Sequence, residues 1–141
     1  MLLMLSVFGL VVIADQLAKA MVVARLDEGV FTAGIIGGVR LRHVVNRRRL
    51  WGSAGAIRFV AFVWILLCVA ASIVAGQTET QLVHAGLGAV VGGATGNLLD
   101  GIARKGVVDF IDLRVWPVFN LADAAIVGGV VLLLWTTFGS N

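Results

Sequence analysis

The sequence predicts an all-α integral membrane protein with four transmembrane helices and a small β-rich loop region after the first of them. Three observations carry that class. The chain is 60% hydrophobic and only 13% charged, with a mean hydropathy of +1.01, far from the composition of soluble globular domains. Four apolar runs, residues 2 to 24, 57 to 75, 82 to 99 and 119 to 138, each approach the roughly 20 residues that cross a hydrocarbon core about 30 Å thick. Most of the charge falls between them. At 141 residues the chain has room for one membrane-embedded domain, 1 to 141.

The first run lacks the basic n-region and the small-residue cleavage site of a secretory signal peptide. It also holds Asp15 and Lys19, so it is expected to be a retained helix. The stretch "FTAGIIGGVRLRHVV" that follows is rich in β-formers and glycine and too short to span, which predicts short strands or an interfacial hairpin. The second and third runs are joined by "GQTETQ", a polar turn. In the third run Gly88, Gly92 and Gly96 recur every four residues, an arrangement that lets a neighbouring helix backbone approach closely. Gly101 is placed to close that helix.

Composition also removes several chemistries. A single cysteine, Cys68, allows neither an intramolecular disulfide nor a thiolate metal cluster. His43 and His84 lack metal-ligand spacing, so no metal is expected. The net charge of +3 comes mostly from arginines without interleaved aromatics. This suits membrane phospholipid headgroups and gives no reason to expect nucleic acid. Arg25, Arg40, Arg42, Arg47, Arg48, Arg49 and Arg58 lie in or beside the first loop, and Arg104, Lys105 and Arg114 in the third. With four helices those loops share one side, which charge bias alone assigns to the cytoplasm.

An ionisable group inside a spanning helix costs roughly 2.5 to 3.5 kcal/mol, so each needs a partner or a task. Asp15 and Lys19, four apart, share a helix face and either pair with each other or brace a polar site. Asn97 and Asp100 share a face at the end of the third helix, and Asn120 with Asp123 has the spacing of a helix N-cap. Capping and catalysis both suit Asp123. Asp109, between "VV" and "FID", has no helix to cap and sits among desolvating neighbours. Two carboxylates held close in a low-dielectric site divide into one protonated and one charged member, which is the requirement for aspartic peptide hydrolysis. Asp109 and Asp123 are 14 residues apart on either side of Trp116 and Pro117, a spacing that allows the loop to fold back and join them. Asp112 falls on the opposite face of an extended stretch from Asp109.

"DQLAK" in the first helix, Asn46, "GGATGNLLD", "GVVDFIDL" and "WPVFNLADAAIVGG" occur in that order from the first helix to the fourth, and together they resemble the bacterial lipoprotein signal peptidases, the signal peptidase II family. The resemblance implies a membrane aspartic endopeptidase. Its substrate is a prolipoprotein whose cysteine already bears diacylglycerol, cut on the amino side of that cysteine, with no metal or organic cofactor. It implies that Asp109 and Asp123 are the catalytic pair and that Asp15, Asn46, Asn97 and Asn120 line or support the site. Lys19, Asp100 and Arg104 are expected to join that support. The location implied is the bacterial inner membrane, with the site and the β-rich loop on the periplasmic or extracellular face, opposite to the charge bias. A monomer is the expected state.

Two departures from the family pattern stand out. "NRRRLW", residues 46 to 51, replaces Asn-x-Gly-Ala-Ala-Phe, and Gly101 replaces an arginine that Arg104 is one turn away from restoring. A non-catalytic or re-specialised relative that binds lipidated peptides or anionic lipid through these arginines is the alternative reading. A serine and lysine peptidase built on Ser53 with Lys19 or Lys105 is a weaker third, since no nucleophile motif surrounds Ser53.

Overall fold

The computed structural model describes residues 1–31, 39–47, 51 and 53–139. Their elements run α1 (Leu2–Arg25), β1 (Arg40–Asn46), α2 (Ala54–Gly76), α3 (Gln81–Arg104), β2 (Val107–Asp112) and α4 (Leu121–Phe138). All four helices are long and apolar enough to cross a membrane, and their outward faces stay apolar. Leu2, Leu10, Phe59, Val127 and Trp135 are each more than 60% exposed, as befits a chain whose solvent is hydrocarbon.

The bundle is organised around α3, which packs against each of the other three helices. Its small residues explain why. A Cβ at Gly88 would strike the Met4 carbonyl, one at Gly92 would lie 3.0 Å from the Phe8 carbonyl oxygen and the Val11 Cβ, and one at Gly96 would lie 2.6 Å from Asp15 Oδ2. The predicted glycine face is therefore the seat of α1. One step round, Gly93 receives α4, with Ile126 Cγ1 2.8 Å from where its Cβ would be. On the remaining side the Trp64 indole N–H donates to Thr95 Oγ1 at 2.9 Å, fixing α2 to α3. Helices in lipid gain no hydrophobic free energy by meeting, so close backbone approach and such bonds supply the association.

Three sequence expectations change. Gly101 does not close α3. The helix runs one turn further and is capped by Lys105 in the left-handed conformation, φ 54°, while Gly101 lies inside it beneath the Trp51 ring. Among the described residues the β-rich loop meets its own chain at the isolated bridge Phe31 to Arg42 and at His43, whose carbonyl accepts from the Gly29 N–H at 2.7 Å and whose N–H donates to the Val30 carbonyl at 3.1 Å; residues 32 to 38 lie outside the described set. Its main partner is remote. β1 pairs antiparallel with β2, matching Val44 with Asp109, Val45 with Val108 and Asn46 with Val107. Finally, Ser53 is the N-cap of α2, accepting from the Ala56 N–H at 3.1 Å, and Lys19 is wholly buried among acids, which removes Lys19 as the partner of Ser53 in a serine and lysine peptidase.

Beyond β2 the chain turns through Trp116 and Pro117 and comes back along the strand. Phe110 N and Ile111 N both donate to the Phe119 carbonyl, at 2.9 and 2.7 Å, and Phe119 N donates to the Ile111 carbonyl at 3.1 Å. This return sets the start of α4 beside the strand that carries Asp109. The C-terminal ends of α1 and α3, the N-terminal ends of α2 and α4 and the two-stranded sheet thus share one side of the bundle. The turn joining α2 to α3 is on the other.

Candidate active site

Two polar groups lie next to each other at that end. The deeper one begins with Asp15 and Lys19, which face inward from α1 with no exposure. Lys19 Nζ is 2.8 Å from Asp15 Oδ2 and 3.0 Å from Asp100 Oδ2, so one cation bridges two acids on different helices. Arg104 closes the charge balance by pairing with the other oxygen of Asp100. Gln16, which the sequence reading did not single out, donates to the Gly96 carbonyl at 3.1 Å and to Asp15 and Asp100 at 3.3 Å.

The cluster also grips the backbone. Asp15 Oδ1 accepts from the Ala122 N–H at 2.9 Å, at the start of α4, and Asp100 Oδ2 accepts from the Val108 N–H at 3.0 Å, in β2. Those two amides immediately precede Asp123 and Asp109. Each carboxylate of the expected catalytic pair is therefore anchored by a neighbouring peptide group tied to Lys19 through one acid.

The second group is built on asparagines. Asn120 is fully buried and forms a capping box with Asp123 at the head of α4. Its Oδ1 accepts from the Asp123 N–H at 2.9 Å, and Asp123 Oδ2 accepts from the Asn120 N–H at 3.3 Å. The same side chain turns its Nδ2 to Asp109 Oδ1 at 2.8 Å. One residue thus bonds both carboxylates, Asp109 through its side-chain amide and Asp123 through its backbone N–H. Asn97 completes the frame. Because the Lys19 ammonium is a donor only, the Asn97 oxygen must face it, at 3.0 Å, which aims Nδ2 at Asp123 Oδ1, at 2.8 Å. Asn46, from β1, donates to Asp109 Oδ2 at 3.4 Å.

Asp109 is 6% exposed. Burial and then the Asp123 carboxylate push its carboxyl up from the ordinary range to about 6, against the opposing pull of the Asn46 and Asn120 amides and the Lys19 charge. Capping and pairing are thus combined in Asp123. Two carboxylates, one of them raised to about 6, open together onto a cavity of about 350 Å³ walled by Trp51, Trp116, Pro117 and Val118. An apolar groove of about 490 Å³ along α4, lined by Leu113, Val127 and Gly128, shares Trp116, Phe119 and Asp123 with it.

Of the expected site residues, Asn46, Asn97, Asp109 and Asp123 line the cavity, and Asn120 holds the pair from behind. Asp15, Lys19 and Asp100 support it at one remove. Arg104 turns away to Asp100 and Gln16 and does not reach the cavity. Arg47 forms a bidentate, exposed pair with Glu28 at 2.6 and 2.8 Å, which lowers the Glu28 carboxyl through that bond; Arg48 and Arg49 lie outside the described residues. Asp112 faces away, accepting the Arg114 N–H at 2.8 Å. Trp51 was not singled out by the sequence. Its type was visible there, but nothing in the spacing said that it meets Gly101.

Residues 7–139 match the family model described as Signal peptidase (SPase) II. The lipoprotein signal peptidase of Syntrophomonas wolfei is 40% identical over 129 residues, covering 90% of this chain and 87% of that protein. That of Moorella thermoacetica is 38% identical over 130 residues, covering 89% and 86%. Among solved structures, a bacterial membrane enzyme determined by the in meso method at 1.9 Å resolution has the same fold, with a TM-score of 0.85 at 23% identity over 98% of this chain and 94% of that one. A second, at 2.3 Å resolution, has a TM-score of 0.81 at 25% identity, covering 98% and 91%. A family match spanning nearly the whole chain, relatives of this identity and four membrane spans make this protein a multi-pass bacterial membrane peptidase belonging to the signal peptidase II family.

Proposed function

We propose that the chain is an aspartic endopeptidase that releases the signal peptide from diacylglyceryl-modified prolipoproteins, with Asp109 and Asp123 as its catalytic pair. The observation that carries this is the single buried Asn120 side chain, bonded to Asp109 through Nδ2 and to the Asp123 backbone through Oδ1. A cap alone has no use for the first of these bonds.

Asp123 accepts N–H donors on both oxygens at a helix N-terminus and is suited to carry the negative charge. Asp109 is the member that holds the proton. In the forward step Asp123 takes a proton from a water whose oxygen adds to the scissile carbonyl carbon, while Asp109 gives its proton to the carbonyl oxygen. The carbon to nitrogen bond of the resulting gem-diol then breaks. The proton held by Asp123 goes to the departing nitrogen, a hydroxyl proton returns to Asp109, and the products are a free carboxyl and the amine of the lipidated cysteine. The Asn46 and Asn97 amides fix the two carboxylates while this happens.

The whole chain acts as one membrane-embedded unit in the inner membrane, with this end facing outward, where a lipidated precursor presents its cysteine. Arginines at anionic headgroups have a binding use that opposes the topological bias of their charge. Purified protein in detergent, given a precursor with and without diacylglycerol on its cysteine, is expected to release signal peptide only from the lipidated form. Equal cleavage of both, or of neither, refutes the assignment. For orientation, Val115→Cys in a Cys68→Ser background should react with a membrane-impermeant maleimide in spheroplasts while Gln77→Cys does not; the reverse pattern would place the site inside.

A further inference from the structure

The other face of the sheet carries a second opening. Asp109 lines the catalytic cavity, whereas Phe110, the next residue of β2, falls on the opposite face of the strand. There Phe110 and Leu41 of β1 look across a groove of about 450 Å³ at Ala18, Met21, Val22 and Leu26, from the end of α1 and its cap. Among the described residues the one charged group on this lining is Arg25, the last residue of α1. The groove shares no lining residue with the catalytic cavity or with the groove along α4.

We propose that this groove binds an anionic membrane phospholipid, with one acyl chain between α1 and the sheet and the phosphate on Arg25, and that the bound lipid steadies β2 behind Asp109. Arg25 is exposed, and among the described residues neither Asp27 nor Glu28 pairs with it; Glu28 is taken by Arg47. A cation at this place complements the dipole of α1, but the dipole gives no reason for an apolar space beneath it. The register of the helix does. Ala18, Met21, Val22 and Arg25 fall at i, i+3, i+4 and i+7, a single stripe, and Ala18, the smallest of them, opens the space. Because α1 crosses the membrane and ends at Arg25, the guanidinium lies at headgroup level and Ala18 about 10 Å deeper, in hydrocarbon. Phosphate and acyl chain would follow that line. An apolar space of this kind does not hold water, and lipid is what surrounds α1, whose Leu17 and Met21 are 59% and 51% exposed. The Phe110 ring is buried and its N–H donates to the Phe119 carbonyl at 2.9 Å, so a chain packed against it supports β2 from the side away from the cavity. The binding site does not depend on the function proposed above; the consequence for Asp109 does.

Binding is tested with phosphatidylglycerol titrated into the purified protein in a neutral detergent and read by native mass spectrometry, with phosphatidylcholine as the uncharged control. The wild type should retain one phosphatidylglycerol in preference to phosphatidylcholine. Arg25→Gln should weaken that step by about five-fold, the worth of one cation at an anionic headgroup, and Arg25→Lys should restore it. Ala18→Phe puts a ring into the groove, leaves every charge in place and should weaken the step by as much; Ala18→Leu serves if the phenylalanine variant does not accumulate. A loss in Arg25→Gln with none in the position 18 variants would mean that the cation draws headgroups without a groove, and would overturn the inference. For the effect on Asp109, kcat/KM for a lipidated precursor is measured in phosphatidylcholine nanodiscs of rising phosphatidylglycerol content. It should climb to a plateau in the wild type and stay flat in Ala18→Phe. No climb in the wild type, or an equal climb in both, overturns the steadying of β2. A rise in KM in the wild type that is absent from Ala18→Phe would give the groove to the acyl chains of the precursor and overturn the proposal as well. If the wild type cuts no precursor, the function proposed above fails, and the binding measurement still decides the lipid site.

Discussion

The charge cluster of Asp15, Lys19, Asp100 and Arg104 and the carboxylate pair of Asp109 and Asp123 are neighbours linked through Lys19 and Asn97, yet they are built on opposite principles. In the first, two acids meet two cations, three of the four groups have no exposure, and every partner is supplied by the protein. Nothing is left over for a ligand. In the second, the acids receive only neutral amides and backbone N–H groups, and their free surface opens onto a cavity. Compensated charge in a membrane is scaffold, whereas acid answered only by dipoles is kept in reserve for something that arrives. Burial of Asp109 and then the Asp123 carboxylate raise its carboxyl to about 6, more than the two amides and the Lys19 charge lower it.

Removing a carboxylate from the second group breaks this contrast most sharply. Asp109→Asn and Asp123→Asn each keep the size of the original and, on the remaining oxygen, one of its two accepted hydrogen bonds. Each should lower turnover by at least about 10³-fold, the scale of lost acid or base catalysis, while the melting temperature in detergent stays near that of the wild type. A variant that keeps near-normal cleavage takes its residue out of the mechanism.

Lys19→Met tests the opposite half. It leaves Asp15 and Asp100 facing each other without their shared cation in a site that excludes water, and breaking a buried pair in this way costs about 3 to 5 kcal/mol. The expected signature is a large fall in melting temperature and in the amount of inserted protein, with activity lost as a consequence because the anchors at Val108 and Ala122 loosen. If Lys19→Met melts like the wild type but fails to cleave, Lys19 belongs to the chemistry and the division drawn here is wrong.

How much of this arrangement could be read from the chain follows the range of the forces involved. The helices were legible because lipid demands long apolar runs. The predicted 2 to 24 and 119 to 138 became Leu2–Arg25 and Leu121–Phe138. The i,i+4 relation of Asp15 and Lys19, the glycine face of α3 and the Asn120 cap were legible because a helix fixes neighbours three and four apart. What failed was anything decided by a remote partner. Gly101 has the look of a terminator, but Trp51 needs the space above it, and the helix continues to Arg104. The stretch after α1 reads as short strands or an interfacial hairpin; the strand forms as β1, but its partner is β2, which comes after α2 and α3. Arg104 lies one turn from Gly101 along the chain, but Asp100, one turn back, holds it away from the cavity. Gln16 was passed over between two charged residues because a neutral amide gives no signal of its own.

A smaller effect sharpens the electrostatic half of the comparison. The Asn46 amide lowers the Asp109 carboxyl, so Asn46→Ala should raise it further. A carboxyl raised in the fold favours its neutral form. It keeps its proton below the folded value and loses it as pH climbs through that value. If the Asp109 proton is needed for attack, kcat/KM should fall on the alkaline side with an apparent midpoint near 6 in the wild type, and this limb should move to higher pH in Asn46→Ala. Asp112→Asn, whose carboxylate faces away, should leave the limb in place. An unmoved limb in Asn46→Ala assigns the titration to some other group.

The smallest expected effect belongs to the Arg47–Glu28 salt bridge, the one found among the described residues of the first loop, and it tests whether exposure separates a charge pair from the scaffold. Arg47 and Glu28 form two short hydrogen bonds, a better geometry than any contact of Lys19, yet their side chains are 59% and 45% exposed. Water and salt can replace each partner there, and the cost of ordering two long side chains offsets most of the attraction. Glu28→Gln should therefore leave the melting temperature unchanged within error in moderate salt and leave cleavage of a standard lipidated precursor within about two-fold. It also releases Arg47 at the rim of the groove that holds Asn46 and Asp109. If a free cation there attracts lipid phosphate, the variant should bind vesicles containing phosphatidylglycerol more tightly at low salt, with no change toward neutral vesicles. A clear loss of stability in Glu28→Gln would mean that the loop depends on this pair as the bundle depends on Lys19, and burial would then be the wrong criterion for separating scaffold charges from the rest.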